Sequence, residues 1–417
     1  EKGVIRVIAS IFILAFFLFY TVSGFVASAK LFGTIFGMDY TTGLVIGAIV
    51  VVSYTFMGGF FAVCWTDFVQ ALMMLLAVLV VPTIICVSGG GFASTMDAVN
   101  VQNPYLMSLF TNASSGKAIG FISLISSLAW GLGYFGMPHI LVRFMSIKNA
   151  DEITHSRRIA MTWVIVCLGA VIMIGLLGRY YVSANSASLI AQGFVSADGS
   201  IDPERIFMIL CQALCHPVVA SVLMAAILAA IMSTADSQLL VSASAFSNDM
   251  YKHLFRKKAS NKELMWVSRA VVAVIAIIAV LIAYQGRPEE ASAAASAVAG
   301  KKGFLDVVMS LVSFAWAGFG ATFGPLVLLA LFWKRTNLAG AVAGMLVGGI
   351  TAFVWKFYLA DMASSCEIFG IYELVPGFVL SFATIVVVSL LTKAPSKEIQ
   401  EEFDTVDHTR LSDMKLS

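Results

Sequence analysis

The stretch SVLMAAILAAIMSTADSQLL, residues 221–240, is apolar over a length that can cross a lipid bilayer as a helix. It nevertheless carries two adjacent hydroxyl side chains, Ser233 and Thr234, and an acidic one, Asp236. Helical spacing places the backbone carbonyl of Ala230 on the same face as the side chains three and four residues later. Carbonyl and hydroxyl oxygens on one helix face form part of a shell for an alkali cation, so the stretch contains a candidate Na⁺ site.

These hydroxyl groups also have a purely structural interpretation. Serine and threonine inside membrane helices often donate a hydrogen bond to the carbonyl of the preceding turn. Polar side chains within a span can equally mark an ion or substrate pathway. The stretch by itself leaves both uses open.

The composition of the whole chain places it in a membrane. Of its 417 residues, 59% are hydrophobic and 12% are charged, and the mean hydropathy is +0.92. A soluble domain has too little interior to bury so much apolar surface. Because the apolar runs are long, we expect helices rather than short barrel strands to span the bilayer.

Charge and cysteine content argue against several other classes. The net charge of +2 is too small to indicate a nucleic-acid partner. The six cysteines are scattered and form no CxxC motif, so neither a disulfide framework nor a zinc site is expected. One group of residue types that can bind metals, Cys211, Cys215 and His216, is interpreted as helix packing.

Hydropathy divides residues 1–391 into about ten spans of roughly 20 residues, which predict one transmembrane domain. The predicted spans are 4–31, 42–60, 66–87, 118–144, 159–181, 217–243, 266–284, 304–333, 338–359 and 372–391. Residues 392–417 are polar and charged, and they predict a tail outside the bilayer. Within this tail, KEIQEEFD predicts a short surface helix.

The distribution of Lys and Arg predicts the orientation of the spans. Basic residues precede the first span, recur in the connections after the fourth, sixth and eighth spans, and return in the tail. The positive-inside rule assigns this side, and with it the C-terminus, to the cytoplasm. The connection 285–303 departs from the pattern, because Arg287, Lys301 and Lys302 lie on the opposite side and are only partly offset by nearby acids.

An acidic side chain, Asp67, stands at the predicted start of the third span, beside Thr66 and Gln70. An aspartate in this position can cap the N-terminus of a helix. A carboxylate at the edge of a hydrocarbon-length helix is also a candidate for an ion site. The sequence favours neither decisively.

Aromatic residues mark the fourth span. In SLAWGLGYFGMPHILVRF, residues 127–144, Trp130, Tyr134 and Pro138 recur every four residues and are predicted to share one helix face. Pro138 lacks a backbone donor and should loosen the turn before it. Aromatic rings beside an unwound turn can cover a small zwitterionic solute with an apolar body. An interfacial belt or simple packing would produce the same pattern.

Six blocks in this order resemble the sodium/solute symporter family: YTFMGGFFA, WTDFVQ, GYFGMPHILVRF, AAILAAIMSTADSQLL, FAWAGFGATFGP and WKRTNLAGAVAGMLVGG. The resemblance extends from Glu1 at least to Pro395. It implies an all-α, polytopic membrane protein with the inverted-repeat architecture known as LeuT-like. Members of the family have further spans upstream, so roughly three helices, including the broken first helix of the repeat, are expected to be missing from this segment.

The resemblance implies roles in sodium coupling. Ala230 would supply a carbonyl oxygen, and Ser233 and Thr234 hydroxyl oxygens, to a Na⁺ site whose remaining ligands come from the first core helix. Asp67 matches an acidic position associated with sodium coupling. Na⁺ would be the coupling ion, and no other cofactor is implied.

The resemblance also implies a substrate site formed by Tyr20, Trp130, Tyr134 and Pro138, with L-proline as the expected solute. Pantothenate, a sugar, another amino acid or coupling to H⁺ are alternatives, as is a sensor built on the same fold. A membrane-embedded enzyme is disfavoured, because the His and carboxylate residues within the spans have no catalytic spacing, and no Walker loop indicates use of ATP. The expected location is a plasma membrane, with a bacterial inner membrane favoured; oligomeric state stays open.

Overall fold

The computed structural model describes residues 3–57, 60–195, 201–287, 304–305 and 307–408. Over these residues the chain is built from helices, and no β-strand is present among them apart from one isolated bridge between Thr111 and Ala118. The all-α class predicted from hydropathy is therefore confirmed.

The α-helices are numbered here in chain order. They are α1 (Val4–Phe36), α2 (Tyr40–Met57), α3 (Phe60–Ser88), α4 (Phe92–Gln102), α5 (Phe121–Leu128), α6 (Trp130–Gly133), α7 (Pro138–Met145), α8 (Glu152–Ala184), α9 (Ser186–Ala191), α10 (Ile206–Leu214), α11 (Pro217–Ser244), α12 (Asn261–Gln285), α13 (Val308–Phe332), α14 (Leu338–Val354), α15 (Leu374–Leu391) and α16 (Lys397–His408). Two of them continue into π-helical turns, α11 through Ala245–Phe255 and α14 through Trp355–Leu359.

Every predicted span corresponds to a helical segment in the described part of the chain. Eight helices there are long and apolar enough to cross a membrane, and α2 forms a shorter apolar helix. The predicted end of the second span includes residues 58 and 59, which lie outside the described residues. The chain is therefore a multi-pass membrane protein.

The fourth predicted span is not one continuous helix. Phe121–Gly136 and Pro138–Met145 meet at an angle of 47°. Met137 between them has an extended backbone, with φ −81° and ψ 108°, and Pro138 begins α7. Proline is tolerated in the first turn of a helix but lacks the donor that would continue the helix before it, so the break falls here.

Two hydrophobic cores share α1. Its second half packs with α2, α3, α11 and α12 around Phe25, whereas its first half packs with α13, α14 and α15 around Phe16. A side chain at Gly318 of α13 would overlap the ring of Phe16, and one at Gly136 would overlap the backbone of Phe319. These close approaches hold α1 and the broken segment directly against α13.

A group of charges around the buried Lys30 joins α1 to two other elements, and we call it the Lys30 cluster. The Lys30 ammonium, 7% exposed, lies 2.8 Å from Glu204 and 3.1 Å from Asp202 in the segment before α10. The Glu204 carboxylate also accepts hydrogen bonds from the backbone N–H groups of Val308 (3.1 Å) and Met309 (2.9 Å). A carboxylate at this position stabilises the N-terminal end of α13, because the backbone donors of the first turn lack partners within the helix.

The predicted surface helix of the tail is present as α16. Lys334, in the connection between α13 and α14, contacts the Asp404 carboxylate of this helix at 3.3 Å. The tail helix α16 therefore lies at the end of the bundle where α13 ends and α14 begins.

Candidate functional site

The predicted sodium ligands lie in the middle of α11, which runs without interruption through them. The Ser233 hydroxyl donates a hydrogen bond to the Ala230 carbonyl at 3.1 Å. The Thr234 hydroxyl makes no hydrogen bond to another of the described residues, and Thr234 is partly exposed, as are Ala230 and Ser233. Ser233 thus makes the hydrogen bond to the preceding turn that a structural role predicts. Its oxygen can still accept, because a hydroxyl that donates a hydrogen bond keeps its lone pairs.

Asp67 lies inside α3, seven residues after Phe60, where the helix begins. The helix-capping interpretation of this residue is therefore wrong, because a cap precedes the first helical turn. The Arg143 guanidinium of α7 donates a hydrogen bond to the Asp67 carboxylate and another, at 2.9 Å, to the Ser237 hydroxyl of α11. One arginine thus joins three helices that are distant in sequence.

Asp236 extends this arrangement, which we call the Asp67 network: Asp67, Arg143, Asp236 and Ser237. Asp236 is fully buried and lies within electrostatic range of both Asp67 and Arg143. Neither of its carboxylate oxygens has a hydrogen-bond partner among the described residues, and the same holds for Asp67 Oδ1. Buried polar atoms rarely stay unpaired, so these three acceptor oxygens suit a cation or a proton.

Sequence reasoning named Asp236 but assigned it no role. The available signal was its position inside a span, two residues after a pair of hydroxyl side chains. An acidic side chain is costly in hydrocarbon, and one that occurs there is usually functional. Nothing in the sequence indicated that Arg143 would join this network. Arg143 lies 94 residues before Ser237, at the basic end of the broken segment.

The predicted aromatic residues Trp130 and Tyr134 come together through a third ring that sequence reasoning missed. Trp316 of α13 stacks on Trp130, with ring centroids 5.2 Å apart, and meets Tyr134 edge-on at 4.8 Å. Tyr372 also stacks on Trp130, with ring centroids 6.3 Å apart. These four residues form the aromatic cluster, and Trp316 Nε1 donates to the Trp130 carbonyl at 2.9 Å.

The prediction that Trp130, Tyr134 and Pro138 share one helix face is wrong for Pro138. Trp130 lies on α6, Tyr134 on the short 3₁₀ turn that follows, and Pro138 beyond the break. The four-residue spacing would align them only on an uninterrupted helix. Pro138 therefore contributes the break itself.

Tyr20, the fourth predicted substrate residue, lies on α1. It is partly buried and packs against the core that also contains Trp130. Its phenol group lies within electrostatic range of the Tyr134 phenol group across the helix interface. The structure thus brings Tyr20 and Tyr134 into one neighbourhood.

The broken segment connects the two parts of the site. Trp130 and Tyr134 precede the break, and Arg143 follows it on α7. Discontinuous helices of this kind are typical of secondary transporters, in which unwound turns lie beside the substrate and ion sites. The fold and the site therefore define a helical membrane transporter.

Comparison with known proteins supports this class. Residues 1–348 match the Sodium:solute symporter family. Over 407 residues, 98% of this chain and 73% of the relative, the sequence is 42% identical to the sodium/proline symporter of Escherichia coli (strain K12). It is 41% identical over 410 residues to the high-affinity proline transporter PutP of Bacillus subtilis (strain 168), covering 98% of this chain and 78% of that protein.

The chain belongs to the sodium:solute symporter family, as its motifs predicted. The family performs Na⁺-coupled solute symport, and the relatives are transporters rather than enzymes.

A solved structure confirms the fold. A Na⁺-coupled sialic acid symporter, in a substrate-bound outward-open state, superimposes with a TM-score of 0.69. The alignment covers 95% of this chain and 76% of that chain, at 19% sequence identity. Similarity at this level of identity concerns the fold, which is the LeuT-like architecture predicted above.

Proposed function

We propose that this chain takes part in the symport of L-proline with Na⁺ across the plasma membrane by alternating access. The observation that carries the proposal is its 40–42% identity, over nearly its whole length, to several proteins named as proline transporters. The arrangement of the site agrees with a small, partly apolar, zwitterionic solute.

The aromatic cluster supports the choice of solute. Trp130, Tyr134 and Trp316 offer apolar ring faces to a compact pyrrolidine ring, and the Tyr20 hydroxyl lies near them. Binding sites for small molecules commonly combine such apolar walls with a few polar groups that fix orientation. In this proposal Pro138 contributes through the break that places Tyr134 against Trp316.

The oxygens of α11 support coupling to sodium. The Ala230 carbonyl and the Ser233 and Thr234 hydroxyls form one side of a Na⁺ site, and partner ligands come from another helix of the fold. Asp67, with Asp236 beside it, provides carboxylate oxygens nearer to Arg143 and contributes to coupling. Each sodium ion that enters is driven by about 2.3 kcal/mol per 100 mV of membrane potential, in addition to its concentration gradient.

The proposed orientation follows the basic residues. Lys334 and the tail helix α16 lie at the same end of the bundle and would be cytoplasmic. The relatives in Escherichia coli and Bacillus subtilis suggest a bacterial inner membrane. A reporter fused after α16 should be active only in its cytoplasmic form; an active periplasmic reporter would reverse the assignment.

Uptake of labelled L-proline into proteoliposomes that contain the full-length protein tests the function directly. We expect accumulation with an inward Na⁺ gradient and none with a matched K⁺ gradient. Pantothenate, glucose and other amino acids in excess serve as competitors. Uptake that is indifferent to Na⁺, or that is displaced better by another solute than by unlabelled proline, would contradict the proposal.

A further inference from the structure

An apolar groove of about 370 Å³ lies between α2 and α12. Its walls include Val45, Ile49 and Ser53 of α2 and Ala273, Ile277 and Leu281 of α12. Ile49, Ile277 and Leu281 are each more than half exposed, so the groove faces outward from the helix bundle. An apolar surface of this kind on a spanning helix pair suits lipid acyl chains.

The groove has a definite direction. The Tyr40 hydroxyl at the start of α2 donates a hydrogen bond, at 3.1 Å, to the Ala283 carbonyl near the end of α12. The two helices are therefore antiparallel and are joined at this end. From there the groove runs towards the beginning of α12, where Ser53 and Ala273 line it.

A cation continues the groove at that end. Arg269 precedes Ala273 by four residues and so lies on the same face of α12. Its guanidinium lies over the ring of Trp266, 5.2 Å from the centroid, and it has no hydrogen-bond or salt-bridge partner within the part of the chain that the structure describes. Trp266 is 58% exposed, as is typical of tryptophan at a membrane interface.

We propose that this groove binds one phospholipid with an anionic headgroup, whose phosphate pairs with Arg269 and whose acyl chain lies between α2 and α12. An arginine at the edge of the hydrocarbon region needs an anionic partner, and lipid headgroups supply it there. The Ser53 hydroxyl is exposed in the groove, deeper in the bilayer than Arg269, at a level suited to an ester carbonyl.

The length of the groove suits an acyl chain. From Arg269 to Leu281 the helix rises about 18 Å, at about 1.5 Å per residue. This is close to the roughly 15 Å of hydrocarbon in one leaflet. A free phosphate ion would use only the Arg269 end, whereas a lipid uses both the charge and the groove.

Native mass spectrometry of the full-length protein tests the proposal without measuring transport, so it can fail independently of the proposed solute. The protein is titrated with phosphatidylglycerol and, separately, with phosphatidylcholine of the same acyl chains. We expect one phosphatidylglycerol to bind saturably and more tightly than phosphatidylcholine. Equal, unsaturable addition of both lipids would overturn the proposal.

Two substitutions separate the headgroup from the chain. Arg269→Gln should weaken phosphatidylglycerol binding about tenfold and phosphatidylcholine binding less, because the choline ammonium of phosphatidylcholine already offsets the phosphate charge with which Arg269 pairs. Ile277→Trp should fill the groove and weaken the binding of both lipids. Both positions are at least partly exposed, and thermal unfolding of each variant confirms that it folds.

Matched controls lie on the same helix. Ile278→Trp makes the same change at a neighbouring exposed position that does not line the groove, and Lys262→Gln removes a different cation. Neither control should alter the tight phosphatidylglycerol binding. If either control weakens it as much as its partner variant does, or if Arg269→Gln and Ile277→Trp change nothing, the proposed site is wrong.

Discussion

The Lys30 cluster and the Asp67 network both place acidic and basic side chains inside the helix bundle, but only the first is complete. The Lys30 ammonium lies between Asp202 and Glu204, and Glu204 also binds two backbone donors of α13. In the Asp67 network, a single Arg143 faces two carboxylates, and three of their oxygens have no partner among the described residues.

This difference indicates different uses for buried charge. A buried charge whose partners are complete holds elements together, and removal of one partner leaves the others uncompensated. A buried carboxylate without partners is unfavourable for folding and is kept where a function requires it. We therefore expect substitutions in the Lys30 cluster to change stability, and substitutions in the Asp67 network to change the response to Na⁺.

The largest expected effect is that of Lys30→Met on folding. The substitution keeps a long apolar stem but leaves Asp202 and Glu204 without their cation, so the free energy of unfolding should fall by about 3–5 kcal/mol. Thermal and denaturant unfolding in detergent measure it. Lys334→Met is the matched control, because the Lys334–Asp404 pair is about half exposed and should contribute only about 0–1 kcal/mol. Equal losses in the two variants would remove the distinction between the clusters.

Asp236→Asn should have the opposite character. It replaces a buried, unpartnered carboxylate by a neutral group of the same shape, so the free energy of unfolding should stay unchanged or rise. The Na⁺ concentration for half-maximal proline uptake should rise at least about tenfold, equivalent to about 1.4 kcal/mol. Asp202→Asn, the same change in the complete cluster, should lower stability. A destabilised Asp236→Asn protein with normal sodium dependence would show that the two clusters act alike.

The aromatic cluster provides a neutral reference for this comparison. Trp316→Ala should weaken proline binding about tenfold, because it removes a ring from both Trp130 and Tyr134, and such ring pairs contribute about 0.5–1.5 kcal/mol beyond their buried area. Trp130→Ala and Tyr134→Ala should act in the same direction. Proline titrations at fixed Na⁺, and Na⁺ titrations at fixed proline, separate the effects. A change in sodium affinity larger than that in proline affinity would argue against a substrate role.

The smallest effects are expected on α11. Ser233→Ala and Thr234→Ala each remove one oxygen, so each should raise the Na⁺ requirement about two- to fivefold, equivalent to about 0.5–1 kcal/mol. Thr234→Ser keeps the hydroxyl and should be milder. Because Ser233 already bonds the Ala230 carbonyl, its loss should also slightly perturb the helix. Unchanged sodium dependence in both alanine variants would leave their hydroxyls with a structural role only.

The sequence by itself determined the membrane class, the positions of the spans and the family. Each of these depends on the composition of a contiguous segment: about 20 apolar residues make a span wherever they occur, and the six motif blocks can be recognised separately. The same local information identified Ser233, Thr234, Trp130 and Tyr134 as candidates, because each stands out against its immediate neighbours.

Only the tertiary structure decided how these residues meet. Arg143 binds Asp67 from 76 residues away, and Trp316 donates to the Trp130 carbonyl across 186 residues. The expectation of a common face failed for Pro138 for the same reason, since the bend at Met137 separates this residue from Trp130 and Tyr134. Hydropathy and helical periodicity are properties of neighbouring residues, whereas a site between helices depends on how their surfaces pack, and that is fixed by close approaches such as Gly136 against Phe319.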